Sequence, residues 1–495
     1  MATDLTTPGT PETDLLDIPA AGPTAIRGSL LRTLGYLAGV LLSLVSVPLL
    51  FGHLGTVEYG RYIVVIALVT IVQGVTDVGL GQIGVREFAI RSGADRERLM
   101  RNLLGVRVVL TSLGVALATA FAVIASYGHI VVEGTLVTGI GMVLAVAQGT
   151  FAVPLVARLQ LGWVTALDLA RQVLSVAGIV LLVLTGARLL AFLTISVPVG
   201  LLVLAATLAL VYGTMPLRPS FDRDEWSLLI RAVLPFAGAI VIGTVYLRIT
   251  VVLVSLLTSH KQSGYYAISF TVISVLVAIP ALTVGSALPI LARAARDDQE
   301  RLGYVLARLV DVMLIVGVGL GLALALGAGF VIHVLTTGKA GPAADVLRIQ
   351  SLAVVTQFVG SAGGYALLAL HRYRSMLLIT GAGLIVSVCL TLVLVPVFQS
   401  RGAATAFAAG EATVAILTFA MLRVARADIT FSLRVPVRVL LAAVLAGAVV
   451  LIPGLTSLAQ AVIASSVYLG VLVASGAVPP ELAQALLRRR QSLTP

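Results

Sequence analysis

The chain has 495 residues, of which 59% are hydrophobic and only 11% charged. A soluble globular protein carries about 25% charged residues, so this composition excludes a soluble fold and implies a polytopic membrane protein. The net charge of +11 invites a nucleic-acid reading, but the arginines fall mainly between apolar runs, and no nucleic-acid partner is expected.

Residues Met1 to Pro23 are rich in Thr, Pro, Asp and Ala, with Asp4, Glu12, Asp14 and Asp17 and no basic residue. This is no signal peptide, which needs a basic start and an apolar core. It reads as a disordered cytoplasmic tail over residues 1–26. Fourteen apolar stretches follow, the first at about Leu30–Phe51 and the last at about Leu458–Val478. Each approaches the roughly 20 residues that a helix needs to cross a bilayer. The connections between them are short, and none holds a folded extramembrane domain.

Two short connections resemble each other. Glu58-Tyr59-Gly60-Arg61-Tyr62 follows the first span, and Gln262-Ser263-Gly264-Tyr265-Tyr266 follows the seventh. Both enter an apolar helix, which is the pattern of a parallel internal repeat.

The second span, expected over Tyr62–Gly84, carries Thr70, Gln73, Asp77, Gly81 and Gly84 at spacings of three and four. On one helix they share a face, suited to a cavity wall or to close helix packing. Asp77 reads as a helix cap, a structural partner, or a cation or proton site; a bridge to Arg248 stays open. Arg86, Arg91, Arg96, Arg98, Arg101 and Arg107 come next. Such runs read as topology determinants and lipid-headgroup contacts. Of the 33 basic residues, 26 fall on the side of both termini, six on the opposite side, and Arg248 is left over. The excess marks the cytoplasmic side, so the chain is placed in the cytoplasmic membrane with both termini inside. Arg107 and Asp311, near that side, are expected to snorkel to the surface.

The seventh span, Ala232 to Leu257, has Arg248 as its only charge. At about 1.5 Å per residue, Arg248 lies roughly 20 Å from Pro235 and roughly 13 Å from Leu257, deep in a hydrocarbon core about 30 Å thick. Facing lipid, it costs at least about 2.5–3.5 kcal/mol. Thr244 and Ser255 share its face. Two roles fit Arg248: a lock between helices, or a cation that attracts an anionic substrate into the membrane.

Gly317, Gly319 and Gly321 have a GxGxG look, but no strand or polar loop surrounds them as a nucleotide fingerprint requires; helix packing explains them. Cys389 is the single cysteine and lies in an apolar run, which excludes an intrachain disulfide or a cysteine-based metal site. The five histidines show no metal-ligand spacing, so neither metal nor cofactor is expected. Glu411, in the twelfth span, is a second intramembrane carboxylate, a functional candidate by default and equally a packing contact.

The order of several short stretches resembles the polysaccharide (Wzx-like) flippases of the multidrug/oligosaccharidyl-lipid/polysaccharide exporter superfamily. They are His53-Leu54-Gly55 to Tyr59-Gly60-Arg61-Tyr62, Thr76-Asp77-Val78-Gly79-Leu80, and Leu234-Pro235-Phe236 to Tyr246-Leu247-Arg248-Ile249. Gly264-Tyr265-Tyr266 and Arg401-Gly402-Ala403-Ala404 complete the set. The resemblance covers about residues 27–480. It implies an all-α polytopic membrane protein of about fourteen helices: two six-helix lobes in a V around a central cavity, plus two additional C-terminal helices. The lobes would be residues 27–213 and 232–425, joined by a cytoplasmic linker over 214–231. The additional helices would be residues 426–480, before a basic cytoplasmic tail over 481–495.

The same resemblance implies alternating access and a substrate of undecaprenyl-pyrophosphate-linked oligosaccharide. The cavity would be lined by Arg248, Asp77, Gln73, Thr244, Ser255 and Glu411, with Arg248 on the pyrophosphate through charge-assisted hydrogen bonds. Family members often carry a carboxylate two places after that arginine; here Thr250 stands there, which weakens a cation-coupling role for this helix. Membrane lipids, a polysaccharide polymerase and glycosyltransferases are the expected partners. The competing readings are a multidrug or cation exporter of the same fold and a non-transporting scaffold for cell-wall synthesis. A polymerase or ligase needs a large outer loop that the chain lacks, so no enzyme is expected.

Overall fold

The computed structural model describes residues 21–212, 218–277, 299–426 and 432–477, with isolated positions between 279 and 294. Most of the expected amino-terminal tail, the basic tail with Arg488, Arg489 and Arg490, and residues 214–217 of the expected linker lie outside the described residues. Within them the protein is helical, with no strand. The helices are α1 (Ala21–Asp77), α2 (Leu80–Ile90), α3 (Gly93–Ile124), α4 (His129–Phe151), α5 (Val153–Ala157), α6 (Leu161–Leu184), α7 (Leu189–Thr194) and α8 (Ser196–Leu210). The second half has α9 (Arg223–Leu257), α10 (His260–Leu276), α11 (Gln299–Thr336), α12 (Ala343–Ala369), α13 (Tyr373–Ala425), α14 (Arg434–Gly447) and α15 (Ser457–Ala474).

Among the described residues, eleven helical segments are long and apolar enough to cross a membrane, fewer than the fourteen expected. The difference has a physical source. α1 and α13 are each interrupted by one non-helical residue, Gly55 and Gln399, and α10 has only 17 residues. A count of continuous helices therefore runs below a count of apolar stretches.

α3, α4 and α8 pack side by side, and α6 lies against α1. In the second half α11, α12 and α13 pack in order, and α9 lies against α13. α14 and α15 join each other and α11. There the Tyr468 hydroxyl donates to the Ile315 carbonyl at 2.9 Å, and a Cβ on Gly319 would sit 3.1 Å from the Tyr468 ring. The GxGxG stretch is a packing surface.

The two halves meet where α1 crosses α9 and α10. At the crossing, the two glycines of the repeat touch. A Cβ on Gly60 would lie 3.0 Å from Gly264 Cα, and one on Gly264 would lie 2.1 Å from the Thr56 carbonyl oxygen. No larger residue allows the backbones so close, which gives the repeat a structural purpose. Tyr59, 1% exposed, ties the same crossing to Thr271 at 3.0 Å.

At the arginine-rich face, α9 begins at Arg223, nine residues before the expected span. Asp222 caps it by accepting from the Asp224 amide at 3.1 Å. Trp226 and Leu229 of this extension, with Val233 just after it, pack on α2 and α3. Arg91 pairs with Glu225 at 2.5 Å and Arg98 with Asp222. The Arg98 guanidinium holds the Asp222 carboxyl below its ordinary pKa. Arg96 donates to the Phe88 and Arg91 carbonyls, and Arg101 pairs with Glu97. The arginine cluster thus also makes protein contacts, beside the topology and headgroup roles expected of it.

Candidate functional site

Arg248 sits near the middle of the membrane part of α9, partly buried. Its guanidinium carbon lies 5.5 Å from the centre of the Phe270 ring of α10. Among the described residues no carboxylate comes within 4.0 Å of it. An aromatic face attracts a cation by about 0.5–2 kcal/mol, but it neutralises no charge and uses none of the five N–H donors. Arg248 is therefore oriented by α10 while its hydrogen-bonding edge keeps its capacity.

The other residues expected on this stripe point to different partners. Thr244 donates to the Ile240 carbonyl at 2.9 Å, and its side chain fills the place where a Cβ on Gly74 of α1 would stand. Ser255 meets the Tyr127 hydroxyl at 2.5 Å, in the turn between α3 and α4. Thr244 and Ser255 thus face the first half of the molecule, while Arg248 faces α10 of the second. Gln73 of α1 is exposed.

Asp77 does not bridge to Arg248. Its Oδ1 accepts from Arg107 Nη2 of α3 at 2.8 Å. Arg107 also donates to Thr150 Oγ1 of α4 at 3.0 Å and is 6% exposed. This corrects the expectation that Arg107 snorkels: a carboxylate one helix away makes the interior less costly than the surface. Asp311 likewise sits 3.9 Å from Arg308 on its own helix. The polar stripe of the second span is also cut. Val78 and Gly79 have φ of 30° and 87°, so α1 ends at Asp77, and Gly81 and Gly84 belong to α2. A Cβ on Gly81 would lie 3.6 Å from the Arg107 guanidinium, an ordinary contact.

The Asp77–Arg107 pair carries a prediction. Asp77→Ala leaves Arg107 with Thr150 alone and is expected to cost about 2 kcal/mol, toward the lower half of the range for charged hydrogen bonds because Asp77 is partly exposed. Asp77→Ala/Arg107→Leu should recover most of that loss, since removing both partners leaves no orphan. Thermal unfolding of the purified variants in one detergent checks it; additive losses would reject the pairing.

Glu411 of α13 is 4% exposed, and its Oε1 has no hydrogen-bond partner. Beside it stands Tyr246 of α9, whose hydroxyl interacts with the Glu411 carboxyl without a hydrogen bond of good geometry. A Cβ on Gly410 would fall 3.1 Å from that hydroxyl and 3.0 Å from Ser387 Cβ. Ser387 Oγ lies 3.4 Å from Thr250 Oγ1. On the far side, Ser269 of α10 donates to Gln350 Oε1 of α12 at 2.5 Å, and the Tyr266 hydroxyl stands between Gln350 and Thr250. One buried polar cluster therefore joins α9, α10, α12 and α13, in an interior where a polar group without a partner costs about 1–3 kcal/mol.

Of this cluster the sequence singled out Glu411 alone and noted Thr250 only as a departure from a pattern. Gln350 follows Arg348 and precedes Ser351, so in the sequence it reads as part of a polar helix start and not as a buried group. Arg171 was missed altogether. The charge count assigned it to the arginine-rich face, but it is the eleventh residue of α6, about 15 Å along the helix. It donates to Gln148 Oε1 of α4 at 2.5 Å, and Gln148 donates to Thr207 Oγ1 of α8 at 3.1 Å.

These features define a multi-pass, all-helical membrane protein with two packed halves and ionisable side chains inside the membrane. The sequence profile of the polysaccharide biosynthesis protein family matches residues 25–295, and the chain belongs to that family. Its fold is similar to that of a lipid II flippase MurJ in an inward closed conformation, with a TM-score of 0.74 at 12% identity over 89% of this chain and 98% of that one. It is also similar to an inward-facing multidrug resistance MATE transporter of the MOP superfamily, with a TM-score of 0.64 at 14% identity over 79% of this chain and 95% of that one. A MOP superfamily transporter from Pyrococcus furiosus Vc1, described as having a binding pocket of reverse polarity, follows at a TM-score of 0.55 and 14% identity, covering 86% of this chain and all of that one. Among curated proteins no sequence relative is found. The fold is that of the MOP superfamily transporters.

Proposed function

We propose that the protein moves undecaprenyl-pyrophosphate-linked oligosaccharide units across the cytoplasmic membrane by alternating access, for the synthesis of a cell-surface polysaccharide. The observation that carries this reading is Arg248, a membrane-embedded cation with an aromatic face beneath it and no carboxylate against it among the described residues. A pyrophosphate supplies the missing anion with oxygens for several charge-assisted hydrogen bonds. The sugars follow it between the halves while the polyprenyl chain stays in lipid. The family and the MurJ-like fold support the same cargo class. An exporter of cationic drugs fits less well, because Arg248 would repel its substrate. No catalytic step is assigned to the chain.

The arginine excess supports cytoplasmic termini. Residues 27–213 and 232–425 would move as the two lobes, with 426–480 as an added pair of helices. Glu411 and its cluster are the part of the second lobe suited to take up a proton or monovalent cation during the cycle, since a buried carboxylate with an open oxygen is stabilised by either. A polysaccharide polymerase and glycosyltransferases would act on either side of the step.

Depletion of the protein tests the function. Complete polyprenyl-pyrophosphate oligosaccharides should accumulate, accessible only from the cytoplasmic leaflet. Normal amounts facing outward would reject the flippase reading.

A further inference from the structure

Two cavities line up along one seam of the molecule, and of the cavity residues assigned above only Ser255 borders either. The first, about 310 Å³, lies at the arginine-poor face and is polar; Arg61, Ser126, Tyr127, Ser255 and His260 are among its lining residues. The second, about 300 Å³, is almost wholly apolar, lined among others by Leu68, Ile71, Val75, Leu117 and Phe121. α1, α3 with the turn after it, and α9 line both, and α4 and α10 add Val131, His260 and Ser263 to the upper one. On α1 the lining positions run 57, 61, 64, 68, 71, 72, 75 and 76, an unbroken stripe at spacings of one to four that keeps to one side of the helix. α3 contributes Gly114 to Phe121 below and the turn after its end above, and α9 contributes Ile249 and Val252 below and Ser255 and Leu256 above. Arg61 to Thr76 spans about 22 Å, more than one leaflet of about 15 Å. The lower cavity is open at its side: Leu117 is 63% exposed, Val75 and Phe121 each 40%.

A polar mouth at the membrane face above an apolar trough running along the bilayer normal has the shape of a membrane amphiphile. Its charge selects the kind. Arg61 uses one N–H on Glu58 at 2.7 Å and has further donors free to share. The mouth also receives the N-terminus of α10, where His260 opens the helix, Lys261 follows it, and the first-turn amides favour an anion. No acidic residue lines the mouth. We propose that this seam binds one anionic, phosphate-headed lipid, with its phosphate under Arg61 and the start of α10 and one chain in the trough against Leu117 and Phe121. α1 and α3 belong to one half of the molecule and α9 to the other, so the bound lipid would hold the seam closed and report on the arrangement of the halves.

Photocrosslinking of the full-length protein tests this. Nanodiscs of phosphatidylcholine are doped with phosphatidylglycerol bearing a diazirine on its chain; a matched set carries the diazirine on phosphatidylcholine instead. The phosphatidylglycerol probe should label Leu68–Thr76 and Gly114–Phe121 at least fivefold more than the matched probe. Arg61→Ala should remove that excess and Arg61→Lys keep most of it. Leu117→Trp, at an exposed position that tolerates bulk, should block labelling of the trough with the headgroup site intact. Equal labelling by both probes would mean bulk lipid and overturn the proposal. So would labelling confined to other helices, an excess that survives Arg61→Ala in protein that stays monodisperse, or loss of the excess on adding millimolar inorganic phosphate, which would mark a free-phosphate site.

Discussion

Arg248→Ala should abolish export of lipid-linked oligosaccharide, and Arg248→Lys should retain part of it. The size of the effect follows from where the charge sits. A hydrogen bond to a charged group contributes about 1.5–3 kcal/mol, so one lost contact to the pyrophosphate slows uptake by about 10- to 150-fold. Arg248 can offer more than one, because a guanidinium presents its donors as a planar fork. Alanine removes all of them. It also leaves a substrate anion to enter the membrane without a partner, where desolvation of an unpaired charge is costly. Lysine keeps the charge but replaces the fork with a compact ammonium and fits the Phe270 face less well. A helix lock would behave differently. It would lose stability with alanine, yet among the described residues no carboxylate lies within 4.0 Å to be locked. The measurement is the outward-facing fraction of the lipid-linked oligosaccharide in cells that carry each variant, with insertion checked by accessibility of an introduced tag. Full export by correctly inserted Arg248→Ala protein would remove Arg248 from the site.

The parts of this arrangement that were legible in the sequence are those set by one residue in an alien environment. An arginine inside an apolar run must face protein or water whatever the fold, so Arg248 stood out before any coordinate. The repeat was legible because Gly60 and Gly264 recur in like surroundings, though only the packing shows why they must be glycine. Partnerships were much less legible. Asp77 and Arg107 are thirty positions apart, and nothing in either segment names the other; their pairing depends on how α3 folds back on α1. Helix ends were hidden for a similar reason. A break at Gly55 or Gln399 costs one residue of conformation and leaves the apolar pattern intact. Arg171 was overlooked because a tally of charges by loop takes every arginine as a surface residue, and its partner Gln148 is two helices upstream.

Glu411→Gln offers the sharpest division between a structural and a working carboxylate. Gln keeps the size and planar shape of the side chain and can satisfy Tyr246 as well as Glu does, but it neither holds a negative charge nor exchanges a proton. If Glu411 only fills space between α13 and α9, the Gln variant folds and transports like the parent. If Glu411 takes up a proton or a monovalent cation during the cycle, the Gln variant folds equally well but transports at least tenfold more slowly, a barrier change of about 1.4 kcal/mol or more. What remains no longer responds to a pH or sodium gradient across proteoliposomes. Glu411→Leu should harm both stability and transport. It adds branched bulk beside Gly410, already packed against Tyr246 and Ser387, and takes an acceptor from a cluster that is short of partners. Thr250 sharpens the comparison. It meets Ser387 in the same cluster, and the only acid among these named side chains stands on α13. Thr250→Asp should therefore restore gradient dependence to Glu411→Gln. Its failure to do so in stable protein would locate the coupling outside this cluster.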